Sequence, residues 1–203
     1  MLTISGYTWA KRHRRDFAAV LTIEDPMTRH GLRFHRTPHP EHLVLEFVDL
    51  DRPPPPPFDC APAYRLADLH DVTRALQFGR THDHLLVHCQ VGISRSPAIA
   101  LGILTERLGS EPAAFAELMR IRPEAVPNQH VISLIDQLLG SDLSGCLDQW
   151  NRRSSWSTLR RLLCRRAYFF AGGIPLEPEL AAINSLDCMK EPPWKSVKNL
   201  TIP

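Results

Sequence analysis

Leu85-Leu86-Val87-His88-Cys89-Gln90-Val91-Gly92-Ile93-Ser94-Arg95-Ser96-Pro97 is the stretch that decides the fold. A strand-length apolar run enters it, and a short loop with one glycine follows Cys89. A nearly all-apolar segment from Pro97 to Leu108 leaves it. Strand, tight loop and helix start make a cradle for an anion, because the first amides of a helix have no partners within it. Cys89 stands at the base of this cradle, and Arg95 brings a permanent positive charge back to it.

Outward from the loop, further apolar runs of strand length occur at Leu2–Ile4, Ala18–Ile23 and Leu43–Val48, with Leu85–His88 as the last. Between the last two, Ala63–Phe78 places Leu69, Val72 and Leu76 on one helical face, and Gly79 reads as its stop. The run from Pro97 to Leu108 is nearly all apolar, as expected of a buried central helix. Pro97 suits a first helical position, where no backbone donor is missed. Ser110 caps a second helix carrying Phe115, Leu118, Met119 and Ile121, which Pro123 stops. A third begins near Asn128, with Val131, Leu134, Ile135, Leu138 and Leu139 at helical spacing and Gly140 just past its end. This order predicts an α/β fold, a central and mostly parallel sheet flanked by helices, with the core closing near Gly140.

Residues 1–140 therefore read as one domain and 141–203 as an extension. In the extension, Ser154–Gly173 is helix-like, with Trp156, Leu159, Leu163, Ala167 and Phe170 on one side and many arginines around the rest. Its apolar stripe favours packing on the core over contact with an acidic membrane. Beyond Gly172-Gly173 the proline-punctuated chain is expected to be poorly ordered.

With 43% hydrophobic residues the chain can bury a core, and its formal charge of +2 gives no reason to expect nucleic acid. Lys11, Arg12, Arg14 and Arg15 interrupt any apolar run near the start, so no secretory leader is expected. The five cysteines (Cys60, Cys89, Cys146, Cys164, Cys188) form no CxxC pair and read as free thiols of a reducing compartment, which predicts a cytoplasmic protein. His82 and His84 lie close together but without a set of partners at metal-ligand spacing, and read as solvated loop residues. Neither a metal nor another cofactor is expected.

A thiolate, not a thiol, is the nucleophile. Three features favour it at Cys89: the helix start ahead, the Arg95 charge, and the Ser96 hydroxyl as a donor to sulfur. Gly92 lets the backbone turn so that successive N–H groups face inward. Gln90, Val91, Gly92, Ile93, Ser94 and Arg95 would then surround the three equatorial oxygens of a phosphoryl group. The planar fork of Arg95 can hold two of those oxygens at once. A lone buried cysteine is usually structural, and Cys-x5-Arg alone is a common coincidence. The conjunction of strand, glycine, Arg-Ser-Pro and buried helix favours the functional loop.

HCQVGISRSP resembles the His-Cys-x5-Arg-Ser signature of the cysteine-based protein tyrosine phosphatases, in their dual-specificity-like branch. Arg122-Pro123 and Pro127-Asn128 ahead of an apolar helix resemble that branch too, so the likeness spans about Leu43 to Gly140. It implies hydrolysis of phosphoric monoesters through a phosphocysteine, with Cys89 as nucleophile and Arg95 as phosphate clamp. Ser96 would ease departure of the thiolate, His88 would support the loop from behind, and Asn128 would serve as a further support. It also implies an aspartic acid upstream that protonates the leaving group. Asp49, which follows Leu43–Val48, is favoured for that role. Asp51 comes second, and Asp59, beyond the run Pro53–Pro57, third. Those prolines read as a stiff spacer more than as a ligand for a proline-binding domain.

None of the variable loop positions is basic, so a singly phosphorylated substrate is expected, a phosphorylated protein or a small aryl phosphate. A phosphate-binding module without turnover is the main alternative. Sulfur transfer or arsenate reduction on a similar loop is a third. The sequence does not reveal the oligomeric state.

Overall fold

The computed structural model describes residues 1–27, 39–53 and 62–152. Strands β1 (Leu2–Gly6), β2 (Ala19–Glu24), β3 (His42–Glu46) and β4 (Leu85–Cys89) form one sheet in the order β1-β4-β2-β3. Every pairing is parallel, with Ile4 opposite Val87, Thr22 opposite His88 and Thr22 opposite Val44. β2 and β4 are buried along their whole length, which is why their sequences read as continuous apolar runs. All four strands end on the same edge, and the loop after β4 therefore opens beside the ends of β1 and β2.

Helix α1 (Tyr7–His13) lies on one face of the sheet, where Ala10 and Phe17 cover Val20 and Leu86. Helices α2 (Leu69–Thr81), α3 (Arg95–Leu108), α4 (Glu111–Ile121), α5 (Gln129–Leu139) and α6 (Leu143–Arg152) enclose the larger core on the other face. Every residue of α3 from Arg95 to Thr105 is buried. It is the central helix that the sequence requires.

Several expectations need correction. α1 goes unnoticed in the sequence because it is short and has no capping side chain. α2 begins at Leu69 rather than at Ala63. Asp68 and Asp71 form a reciprocal capping box there, and Pro62–Tyr64 makes a separate 3-10 turn. Nor is Gly79 a stop: it lies inside α2, where a Cβ would stand 2.6 Å from the Ile103 side chain. The missing side chain lets α2 and α3 approach. Pro97 is the third residue of α3, not the first; it still falls in the turn whose amides lack helical partners.

The core also continues past Gly140. That glycine does end α5, in a left-handed conformation (φ 65°), but α6 follows after two residues and buries Leu143 and Leu147 in the main core. Trp150 meets Phe115 edge-on at 5.8 Å. Asp136 fastens this turn by accepting from Ser141 Oγ and from the amides of Leu143 and Ser144. His82 and His84 are not free in solvent: His82 bonds the Phe78 carbonyl at 2.9 Å, and His84 packs on Phe17. Among the described residues, no helix is long and apolar enough to cross a membrane. The arginine-rich segment Ser154–Gly173 lies outside the described residues.

Candidate active site

Cys89 closes β4, and α3 opens at Arg95, so residues 90–94 must reverse direction within five peptides. Gly92 makes this reversal with φ 80°, a region that only glycine occupies at little cost. A Cβ at Gly92 would stand 2.4–2.5 Å from backbone atoms of Ser5 and Gly6. The loop is thus pressed directly against the end of β1.

The carbonyls of the loop are taken up from outside. Gln90 O accepts from the Tyr7 amide at 3.1 Å, and Ile93 O from the Val126 amide at 2.7 Å. Gly92 O accepts from Arg122 Nε at 3.0 Å, and Ser94 O from the amides of Ala98 and Asn128. In a planar trans peptide the C=O and N–H point in opposite directions. Carbonyls drawn outward on this scale turn amides inward, which is the anion-binding nest that the sequence suggests. The Ser94 side chain does not cap α3, so the helix start remains open to the cradle.

At the base, Cys89 is 2% exposed and its Sγ accepts from the Gly92 amide at 3.2 Å and from Ser96 Oγ at 3.3 Å. Arg95 is equally buried. Its Nη1 donates to Asp25 Oδ1 and to the Phe47 carbonyl, both at 2.7 Å. Behind the loop, His88 Nδ1 lies 3.4 Å from the Cys89 carbonyl and its Nε2 lies 2.7 Å from Thr22 Oγ1. Burial pushes the His88 imidazole down to about 4.

No protein-family model matches the chain, and no curated protein matches its sequence. Solved structures do match. The human tyrosine phosphatase-like serine/threonine/tyrosine-interacting protein superposes with a TM-score of 0.50 at 18% identity, over 68% of this chain and 91% of that one. Human DUSP28 also gives 0.50 at 18% identity, over 75% of this chain and 95% of its own. The fold is that of the dual-specificity and tyrosine phosphatases.

Within this phosphatase fold the sequence-derived site residues divide clearly. Cys89, Gln90, Val91, Gly92, Ile93, Ser94, Arg95 and Ser96 form the loop, with Val91 standing 54% exposed on its rim. Asp49 reaches it: its Oδ1 accepts from Ser94 Oγ at 2.6 Å and from Asn128 Nδ2 at 3.0 Å. Asn128 also caps α5 by accepting from the Val131 amide, so one side chain ties that helix to the Asp49 segment. Asp51 accepts from the Gln129 amide, at the start of α5, at 2.6 Å. Asp59 and Pro54–Pro57 lie outside the described residues.

Asp25 is the site residue that the sequence reading passed over. It directly follows β2, and the parallel pairing of β2 with β4 carries it to Arg95. The signal was available in principle, since ligand sites of parallel sheets gather at the carboxyl ends of strands. Without the strand order, no one acidic residue at a strand end could be preferred.

Proposed function

We propose that the chain is a phosphoric monoester hydrolase, a protein tyrosine or dual-specificity phosphatase that works through a phosphocysteine. The observation that carries this reading is the double donation to Cys89 Sγ, from the Gly92 amide and the Ser96 hydroxyl, beside a buried arginine. Two donors aimed at sulfur stabilise negative charge there, on the attacking sulfur and on the departing one.

In the first step the Cys89 thiolate attacks phosphorus, an S–P bond forms and the ester P–O bond breaks. The inward amides and Arg95 hold the equatorial oxygens, where charge is greatest in such a transfer. Arg95 is held in place for this by its Nη1 bonds to Asp25 and to the Phe47 carbonyl. Asp49 delivers a proton to the leaving oxygen, its carboxyl steadied over the loop by Ser94 and Asn128. In the second step water attacks phosphorus, the S–P bond breaks, and Asp49 takes up the water proton while Ser96 stabilises the departing thiolate. The exposed apolar rim at Val91 and the lack of basic residues at the variable positions, Gln90 to Ser94, suit a phosphotyrosine ring.

Hydrolysis of p-nitrophenyl phosphate by the full chain, set against Cys89→Ser, tests this. Turnover in the wild type alone, with acid-quenched phosphoprotein on Cys89, is expected. Phosphate binding with no turnover in either protein would leave a non-catalytic binding module.

A further inference from the structure

The segment that carries Asp49 is fastened at both ends, and the downstream fastening has no part in the chemistry above. Upstream, the Phe47 amide donates to the Glu24 carbonyl of β2 at 3.0 Å, and the Phe47 carbonyl accepts from Arg95. The Val48 amide donates to the Arg65 carbonyl at 2.9 Å, and Arg65 Nη1 donates in turn to the Glu46 carbonyl. Phe47, Val48 and Leu50 are all buried.

Downstream, the segment is tied to the start of α5. Asn128 Nδ2 donates to Asp49 Oδ1 at 3.0 Å and to the Leu50 carbonyl at 3.3 Å. Asp51 Oδ1 accepts from the Gln129 amide at 2.6 Å. That amide opens α5, where backbone donors have no acceptor within the helix. A carboxylate suits it well, because the bond is charge-assisted and a helix start attracts negative charge. The next residue serves the other flank of the proline run. A carbonyl can only accept, so His130 donates from Nε2 to the Ala67 carbonyl, at 2.8 Å.

Asp49 and Asp51 stand two positions apart in sequence and are held by successive residues, Asn128 and Gln129. A segment tied at one point can pivot about it. Tied at two, it cannot turn its carboxyl away from the loop.

We infer that Asp51 is a positioning residue, which pins the downstream end of the acid segment to α5 and so keeps the Asp49 carboxyl at the phosphate loop. The acid then stands in place before substrate arrives. The kinetic part of this inference rests on the phosphatase reading, with Asp49 as its acid; the anchoring does not.

Asp51→Ala removes the acceptor, whereas Asp51→Asn keeps an oxygen in its place. In the full-length protein the Gln129 amide proton should resonate downfield in wild type and Asp51→Asn, and move upfield in Asp51→Ala. A resonance that stays put in Asp51→Ala would overturn the anchoring, whether or not the protein turns over substrate. The kinetic arm sets phenyl phosphate, whose phenolate must be protonated as it leaves, against p-nitrophenyl phosphate, whose leaving group needs less help. A positioned acid contributes about 10²–10⁴-fold, so letting it drift in Asp51→Ala should lower kcat/KM for phenyl phosphate about tenfold. The loss on p-nitrophenyl phosphate should be far smaller, and Asp51→Asn should restore the wild-type ratio. Equal losses on the two esters would leave Asp51 a merely structural role. An unrestored ratio in Asp51→Asn would show that its charge or its proton matters, and not the acceptor. Either result overturns the positioning. No turnover of either ester by the wild type would sink the phosphatase reading and the kinetic part with it, while the Gln129 resonance still decides the anchoring.

Discussion

Replacing Gly92 by alanine separates two costs that the structure assigns to one position. Gly92 and Gly109 both have positive φ, 80° and 63°, so an alanine at either meets the same kind of backbone penalty. Disfavoured left-handed geometry costs a residue with a Cβ about 1–2 kcal/mol. At Gly109 a Cβ would have nothing within 4 Å, so the penalty ends there. At Gly92 it would collide with the backbone of Ser5 and Gly6 at 2.4–2.5 Å, and backbone inside a sheet cannot rotate away as a side chain can. Overpacking of this kind adds about 1–3 kcal/mol. Urea unfolding should therefore show a loss of about 1–2 kcal/mol for Gly109→Ala and roughly 2–5 kcal/mol for Gly92→Ala. Because the Gly92 amide also donates to Cys89 Sγ, its displacement should cut kcat about 100-fold or more, while Gly109→Ala leaves kcat unchanged. Equal destabilisation by the two variants, with kcat preserved in both, would refute the close seating of the loop on β1.

Asp49→Asn should abolish the alkaline limb of the pH–rate profile and lower kcat by about 10²–10⁴, whereas Asp51→Asn should leave that limb in place. The reverse outcome would move the general acid to Asp51. Asp25→Asn removes a charge beside Arg95 but keeps an acceptor for Nη1. Asp25 is 40% exposed, so the gain in phosphate affinity should stay within about 1 kcal/mol, a fall in KM of up to roughly fivefold. A rise in KM would show that the charge, and not the acceptor, orients Arg95. Finally, His88 titrates at about 4 in the folded protein and near 6.5 when unfolded, so the unfolded chain takes up a proton first as pH falls. The stability that His88 contributes is whole above pH 6.5 and is lost progressively down to about pH 4, reaching about 3 kcal/mol by linkage. A urea midpoint that does not fall between pH 7 and pH 4.5 would contradict its buried, neutral state.

How much of this was legible in advance depended on how local the cause was. The loop from Cys89 to Ser96, the buried α3, the helix start near Asn128 and the caps at Ser110 and Gly140 were legible because each is set by a few neighbouring residues. Strand periodicity and burial also gave the parallel sheet, since runs buried on both faces leave no polar alternation. Gly79 was misread because a glycine that stops a helix and one that admits a neighbouring helix look alike until Ile103 is in place. α6 was missed as part of the core because Leu143 and Leu147 gain their meaning from the groove that they fill.

By itself, the sequence determined the make-up of the loop: a cysteine, a turn that needs glycine, and an arginine just ahead of a buried helix. These follow from spacing along one segment, where geometry is fixed by covalent connection and by local hydrogen bonds. The tertiary structure alone decided what surrounds that segment. Asp25, Asp49 and Asn128 meet the loop from positions 34 to 70 residues away, and Thr22 stands between His42 and His88 from three different strands. Strand order and register bring such groups together, and neither is written in any one stretch of the chain.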